Sequence, residues 1–164
     1  MALLVPLAAC GGTPAGNGTE TAAVETPTPS PTPTPAGRIA DEAGLLSATQ
    51  RVELSARLGS LELRTGRKVV IATVKSLHGR DIDEAVEILG TRLGVHDGVI
   101  LLVAVKEREV RLAVGRGSDR LLTTAEAKQI VNGAMYPDLH ANRFGAGILK
   151  GANRIIAELS ETMT

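Results

Sequence analysis

Three aspartates in predicted loops are the residues best placed to bind a metal ion. Asp97 directly precedes an apolar run, Asp119 follows the next stretch along the chain, and Asp41 precedes the first predicted helix. Antiparallel pairing of those two stretches would bring Asp97 and Asp119 to one rim of a sheet. Carboxylate oxygens on loops suit hard cations such as Ca²⁺ or Mg²⁺. The sequence therefore offers these three aspartates as a candidate metal site.

The same residues also have a purely structural interpretation. Asp97 stands before Gly98, and aspartate and glycine are both common in turns. Asp119 would favour the amino terminus of the helix that follows it. Spacing alone favours this structural interpretation over metal binding.

Other familiar catalytic and cofactor motifs are absent from the sequence. It has no His-Glu-x-x-His zinc motif, no Walker loop and no Gly-x-Ser-x-Gly elbow. Gly115–Arg120 begins like a dinucleotide loop but lacks the third glycine, so a tight turn is the better interpretation. His78, His96 and His140 have no regular spacing. We expect no organic cofactor.

Composition narrows the classes of partner. Eighteen basic and eighteen acidic side chains give zero formal net charge, which provides no bulk attraction for nucleic acid. Tyr136 and Phe144 are the only aromatic residues, so a stacking platform for single-stranded nucleic acid is missing. We expect an aliphatic core and no nucleic-acid partner.

Cys10 is the only cysteine and indicates a lipid anchor. A short apolar run ends in Leu7-Ala8-Ala9 directly before it, which resembles the lipobox of bacterial lipoprotein signals. The basic residues usual at the start of a signal peptide are missing, so we expect the true start codon to lie upstream. The alternative is a chance Leu-Ala-Ala-Cys in an unstructured segment. A single cysteine also excludes an intrachain disulfide.

A proline-rich tether follows the cysteine. Seven of the eight prolines precede residue 36, and residues 26–35 read Thr-Pro-Thr-Pro-Ser-Pro-Thr-Pro-Thr-Pro. Proline lacks the backbone donor that helices and sheets need, so this run favours polyproline II and spans roughly 30 Å. We expect residues 1–10 to be the lipoprotein signal and lipobox, and 11–37 to be a tether. Residues 38–164 would form the domain, held outside the cytoplasm in the cell envelope.

Helices and strands alternate in that domain. Ser47 with Gln50, and Thr123 with Glu126, form capping boxes at the start of two predicted helices. The predicted helices cover residues 47–65, 81–93, 123–135 and 144–159.

A short segment rich in β-branched residues at 68–74 and a continuous apolar run at 98–105 predict strands covered on both faces. Residues 109–115 alternate polar and apolar side chains after a polar turn, which predicts a hairpin with an edge-like second strand. The order α-β-α-β-β-α-α predicts an α/β fold, in which a small mixed β-sheet carries helices on both faces.

These blocks together resemble the TPM domain. The resemblance rests above all on Asp41–Ser47, Asp97–Ala104 and Val114–Gly117, and matching blocks cover nearly all of residues 38–158. It implies an α/β sandwich in membrane-associated or exported proteins, with divalent-cation binding and acid phosphatase activity reported for some members. Within that pattern, Asp97 and Asp119 match acidic positions.

The chain departs from the family pattern in two places. The loop before Asp97 is shorter than usual, and Thr124 stands where an aspartate commonly follows the threonine that matches Thr123. One acid and part of a loop are therefore missing, which weakens the case for metal binding or hydrolysis. Many relatives carry a membrane helix after the domain, and here the lipid on Cys10 would replace that anchor.

Three functions are compatible with these features. The first is a non-catalytic accessory module that binds an envelope protein. The second is a metal-dependent phosphatase of low activity, in which a cation polarises a phosphoryl oxygen and activates water. The third is a structural domain whose cation stiffens its loops. A complete acidic shell would favour the second function, and because the sequence supplies only part of one, we favour the first.

Overall fold

Four strands form one sheet in the computed structural model, which describes residues 37–120 and 122–161. The strands lie side by side in sequence order, with β1 to β3 parallel and β4 antiparallel to β3. They are β1 (Ile39–Asp41), β2 (Val69–Val74), β3 (Val99–Ala104) and β4 (Glu109–Val114). The predicted lipid site at Cys10 and the tether up to residue 36 lie outside the described residues.

The mixed sheet confirms the predicted fold class, with one strand more than the predicted order contained. β1 has only three residues, too few for a periodic apolar signal. Its strand conformation comes from pairing with β2, in which Ile39 lies beside Ile71 and Asp41 beside Thr73. Asp41 therefore ends a strand, whereas the sequence had placed it in a segment leading to the first helix.

Local sequence signals explain where the long helices begin and end. The Ser47 side chain accepts a hydrogen bond from the Gln50 N–H, and the Gln50 side chain accepts one from the Ser47 N–H, so the predicted capping box is present. Gly66 and Gly94 adopt the left-handed conformation, with φ of 67° and 62°, and end the first two helices. The helices are α1 (Ala48–Thr65), α2 (Ile82–Leu93), α3 (Thr124–Gln129), α4 (Tyr136–His140) and α5 (Phe144–Glu161).

The third predicted helix is interrupted, which corrects the expectation of one helix to about residue 135. After α3 the chain forms a π-helical segment, Ile130–Met135, and α4 follows directly. Pro137 has no N–H with which to continue an α-helical ladder, so the hydrogen-bond register changes before it. Such wide turns are rare and frequently occur at functional sites.

Successive residues of β3 pack alternately into two aliphatic layers, one on each face of the sheet. All six residues of β3 are buried. Val99, Leu101 and Val103 belong to the layer that contains α1 and α5, whereas Ile100 and Leu102 pack with α2. Helices therefore cover both faces of the sheet, as predicted.

Candidate functional site

Asp97 and Asp119 lie on adjacent loops at one rim of the sheet. The Ser118 hydroxyl donates a hydrogen bond of 2.5 Å to the main-chain oxygen of Asp97. Nearby, the Gly115 N–H donates a 2.8 Å hydrogen bond to the Gly98 oxygen. Both aspartate side chains are exposed to solvent. The β3–β4 hairpin is thus what brings this pair to the same rim.

A guanidinium group lies beside the same two loops. Arg67 Nη1 is 2.6 Å and Asp97 Cγ is 3.2 Å from the position that a Cβ on Gly117 would occupy. A side chain at residue 117 would therefore shift the Arg67 guanidinium and crowd Asp97. The positive charge of Arg67 also reduces the attraction of the Asp97 carboxylate for a cation. This rim suits at most a weak cation site.

Asp41 lies at the opposite rim of the sheet, where the parallel strands end. It ends β1, whereas Asp97 precedes β3, and the two strands run in the same direction. Because six strand residues span roughly 20 Å, the Asp41 carboxylate cannot join Asp97 and Asp119 around one ion. The structure thus brings together two of the three candidate metal ligands and separates the third.

The Asp41 carboxylate instead fastens the turn before α1. Its Oδ1 accepts hydrogen bonds from the Thr73 hydroxyl at 2.5 Å and the Leu45 N–H at 2.9 Å, and its Oδ2 accepts one from the Leu46 N–H at 3.0 Å. Partial burial alone would raise the pKa of Asp41. The hydrogen bonds and the charge of Arg51 outweigh burial and hold that pKa below its usual value. The residue therefore has a structural role.

Within residues 37–120 and 122–161, no three His, Cys, Asp or Glu side chains are close enough together to hold a metal ion. One of the scattered histidines, His140, stacks on Tyr136 with 5.3 Å between the ring centroids. Any cation on the rim would therefore depend on Asp97 and Asp119, completed by water or main-chain oxygens.

A charge cluster around the buried Asp138 was not predicted from the sequence. This residue is 1% exposed. Its Oδ1 accepts two hydrogen bonds from the Arg143 guanidinium, at 2.7 and 2.9 Å, and Lys150 Nζ lies 2.6 Å from its Oδ2. The hydrogen bonds from Lys150 and then Arg143 hold the pKa of Asp138 below its usual value despite burial. Since both cations are engaged by the carboxylate, the cluster serves to join α4 to α5.

A groove of about 390 Å³ runs along β4, opposite α3 and the π-helical segment. This volume is within the range of ligand pockets in proteins. Val110, Leu112 and Val114 contribute from the strand, and Ala127 and Val131 from the opposite wall. The sequence identified the edge strand but gave no sign of the groove, which depends on the packing of distant elements.

These features define a small α/β domain with helices on both faces of a mixed sheet, an exposed acidic rim and a grooved sheet edge. A family model described as the TPM domain matches residues 39–158. The chain belongs to the TPM domain family, which confirms the resemblance noted in the sequence.

None of the helices in the described part of the chain is long and apolar enough to cross a bilayer.

Solution NMR structures of bacterial proteins share this fold. The N-terminal domain of a protein from P. gingivalis has a TM-score of 0.73 at 22% identity, over 78% of this chain and 85% of that chain. The N-terminal domain of the cg2496 protein from Corynebacterium glutamicum has a TM-score of 0.60 at 18% identity, over 73% of this chain and 78% of that one.

A third structure, the BA42 protein from the psychrophilic bacterium Bizionia argentinensis, has a TM-score of 0.59 at 15% identity, over 71% of this chain and 83% of that one. Identities this low establish the fold alone. No curated protein sequence is significantly similar to the chain.

Proposed function

We propose that this protein is a lipid-anchored lipoprotein of the bacterial envelope, in which the TPM domain is a non-catalytic module that binds an envelope protein. The observation that carries the proposal is the groove beside β4, which has aliphatic side chains on both walls, because a strand edge next to such a groove is a typical binding surface for an extended polypeptide. The dispersed carboxylates offer no comparable catalytic centre.

Site-specific photocrosslinking in living cells tests this proposal. A photoreactive amino acid is placed at Asn132, which is exposed and lines the groove, or at Glu87, which is exposed on α2. We expect position 132 to give a discrete adduct with an envelope protein and position 87, the matched control, to give none.

The two positions are extended to a set that covers every exposed face of the domain. If no position gives an adduct while the protein is present at normal abundance, the protein does not act by binding an envelope protein.

We also propose that Asp97 and Asp119 together form a weak cation site. Their exposed carboxylates share one rim, and the nearby Arg67 guanidinium limits the affinity. The alternative function, a metal-dependent phosphatase of low activity, would require further ligands from water or substrate. It is the less supported of the two proposals.

Calcium is expected to raise the melting temperature of the full chain, with half of the effect at about 0.1–1 mM. Asp97→Asn should remove most of that shift, because one of the two carboxylates is lost. It should leave the stability of the metal-free protein about unchanged, because relief of the repulsion from Asp119 is offset by loss of the attraction to Arg67. Differential scanning calorimetry measures both quantities.

The matched control is Glu87→Gln, which removes an exposed carboxylate from α2 and should keep the full calcium shift. The opposite pattern would identify Asp97 as a structural turn residue. In that case calcium gives no shift in the parent, and Asp97→Asn lowers the melting temperature without metal.

A further inference from the structure

We propose that the outer edge of β4 binds an extended peptide segment that carries an acidic side chain, which adds to the sheet as a fifth strand. This inference rests on the proposed partner-binding function and names the class of partner. Three features of the edge carry it: backbone groups with which no described strand pairs, a groove with aliphatic side chains on both walls, and Lys128 at the rim of that groove.

The backbone of β4 has one paired side and one open side. In an antiparallel ladder, successive residues direct their N–H and C=O groups alternately toward and away from the neighbouring strand. The hydrogen bond from Gly115 N–H to Gly98 O fixes the alternation, so residues 109, 111 and 113 face β3. The backbone groups of Val110, Leu112 and Val114 therefore point outward. In the described ranges, no strand pairs with that outer edge.

The groove matches the side chains of an added strand. Val110, Leu112 and Val114 pack with the layer that contains α3 and the π-helical segment, and they form one wall of the groove. Ala127 and Val131 form the other wall. Side chains of a strand alternate between the two faces of a sheet, so every second side chain of the bound segment would enter this groove. Those positions should be aliphatic.

Charge complementarity specifies the acidic side chain. Among the described residues that line the groove, the charged ones are Arg111 and Lys128, and none is acidic. Arg111 is already paired with Asp83 on the α2 side of the sheet. Lys128 is exposed on α3, at the rim of the groove. An Asp or Glu of the bound segment beside Lys128 would form the complementary pair.

A second copy of the chain fits this edge less well. Symmetric antiparallel pairing of two β4 strands about Leu112 would bring Arg108, in the turn before the strand, close to Arg116 of the other copy, just after the strand. Like charges brought close together repel each other. A peptide segment with an acidic side chain meets no such repulsion.

A display library of random decapeptides, selected against the full chain, tests the proposal. We expect enriched peptides to alternate aliphatic and polar residues and to contain Asp or Glu. Synthetic versions should protect the backbone amides of Val110, Leu112 and Val114 from hydrogen exchange. Methylation of alternate peptide nitrogens should abolish binding in one of the two possible phases and leave it intact in the other, because a strand pairs through one edge.

Charge reversal tests the role of Lys128. Lys128→Glu should lower the affinity for the acidic peptides about fivefold, which is the upper range for an exposed ion pair. A peptide with lysine in place of the acidic residue should bind this variant with the original affinity. The matched control is Lys106→Glu, because Lys106 is exposed in the β3–β4 turn and does not line the groove. It should leave the affinity unchanged.

Three results would overturn the proposal. The first is a library from which no peptide is enriched, and the second is a set of peptides that bind without protecting the three amides. The third is a dimer of the free protein in which those amides are already protected, since that would seat a second copy on the edge. A photocrosslinked envelope partner would in each case leave the broader partner-binding function standing.

Discussion

Gly98→Ala is expected to destabilise the protein by about 3 kcal/mol, in the upper range for overpacking a well-packed interior. A Cβ at Gly98 would lie 2.1 Å from the main-chain oxygen of Lys68 and 2.6 Å from Cγ1 of Val95. The same Lys68 oxygen accepts a 2.9 Å hydrogen bond from the Val99 N–H. Relief of the clash would move β3 away from β2, so the first ladder bond would lengthen. Denaturation by urea, followed by circular dichroism, measures the loss.

Gly133→Ala is the matched control for that substitution. Apart from its chain neighbours and its own helix backbone, no atom of the described residues lies within 4 Å of the position of a Cβ at Gly133, in the π-helical segment. The free energy of unfolding should stay unchanged or rise by up to about 1 kcal/mol, because alanine is the better helix former. Equal loss of stability in both variants would contradict the close approach of β2 and β3 at Gly98.

Cys10→Ser is expected to move the protein almost completely from the membrane fraction to the soluble fraction. The proposed anchor is the diacylglycerol on one thiol, and two acyl chains are what stable anchoring of a protein requires. The described residues provide no helix that could cross a bilayer in its place. Both variant and parent are expressed behind a grafted lipoprotein signal, fractionated by ultracentrifugation after a salt wash and quantified by immunoblot.

Mass spectrometry of the parent supplies the control, because the lipid adds a defined mass to the amino-terminal peptide. The anchor hypothesis fails if the parent carries no lipid and Cys10→Ser remains with the membranes after the wash. Membrane association would then come from the domain or from a bound partner.

Strands covered on both faces were predictable, because nearly every residue of such a strand is apolar and the run is visible in the sequence. β3 is a continuous apolar run, β2 is interrupted only by Thr73, and the capping boxes mark the starts of α1 and α3. β1 shows no such pattern, since three residues are too few for a period and the strand depends on pairing with β2. The π-helical segment was equally hidden, because Pro137 signals a break in a ladder but not the kind of turn that replaces it.

The candidate site was predictable only where local pairing fixes it. A hairpin brings Asp97 beside the loop of Asp119, and the spacing of two neighbouring strands was enough to place them. The position of Asp41 depends on the parallel pairing of β1, which joins residues more than thirty positions apart. Asp138 could not be identified, since its partner Lys150 lies on another helix and no local pattern links the two.

The alternation of β3 between two aliphatic layers also determines how the domain unfolds. Neither layer can be lost without exposing half of the β3 side chains and weakening the strand on which the other layer packs. The layers should therefore melt as a single cooperative unit, with transitions that coincide when followed by different probes. A midpoint measured for any variant then reports the free energy of the entire domain, even when the substitution touches one layer alone.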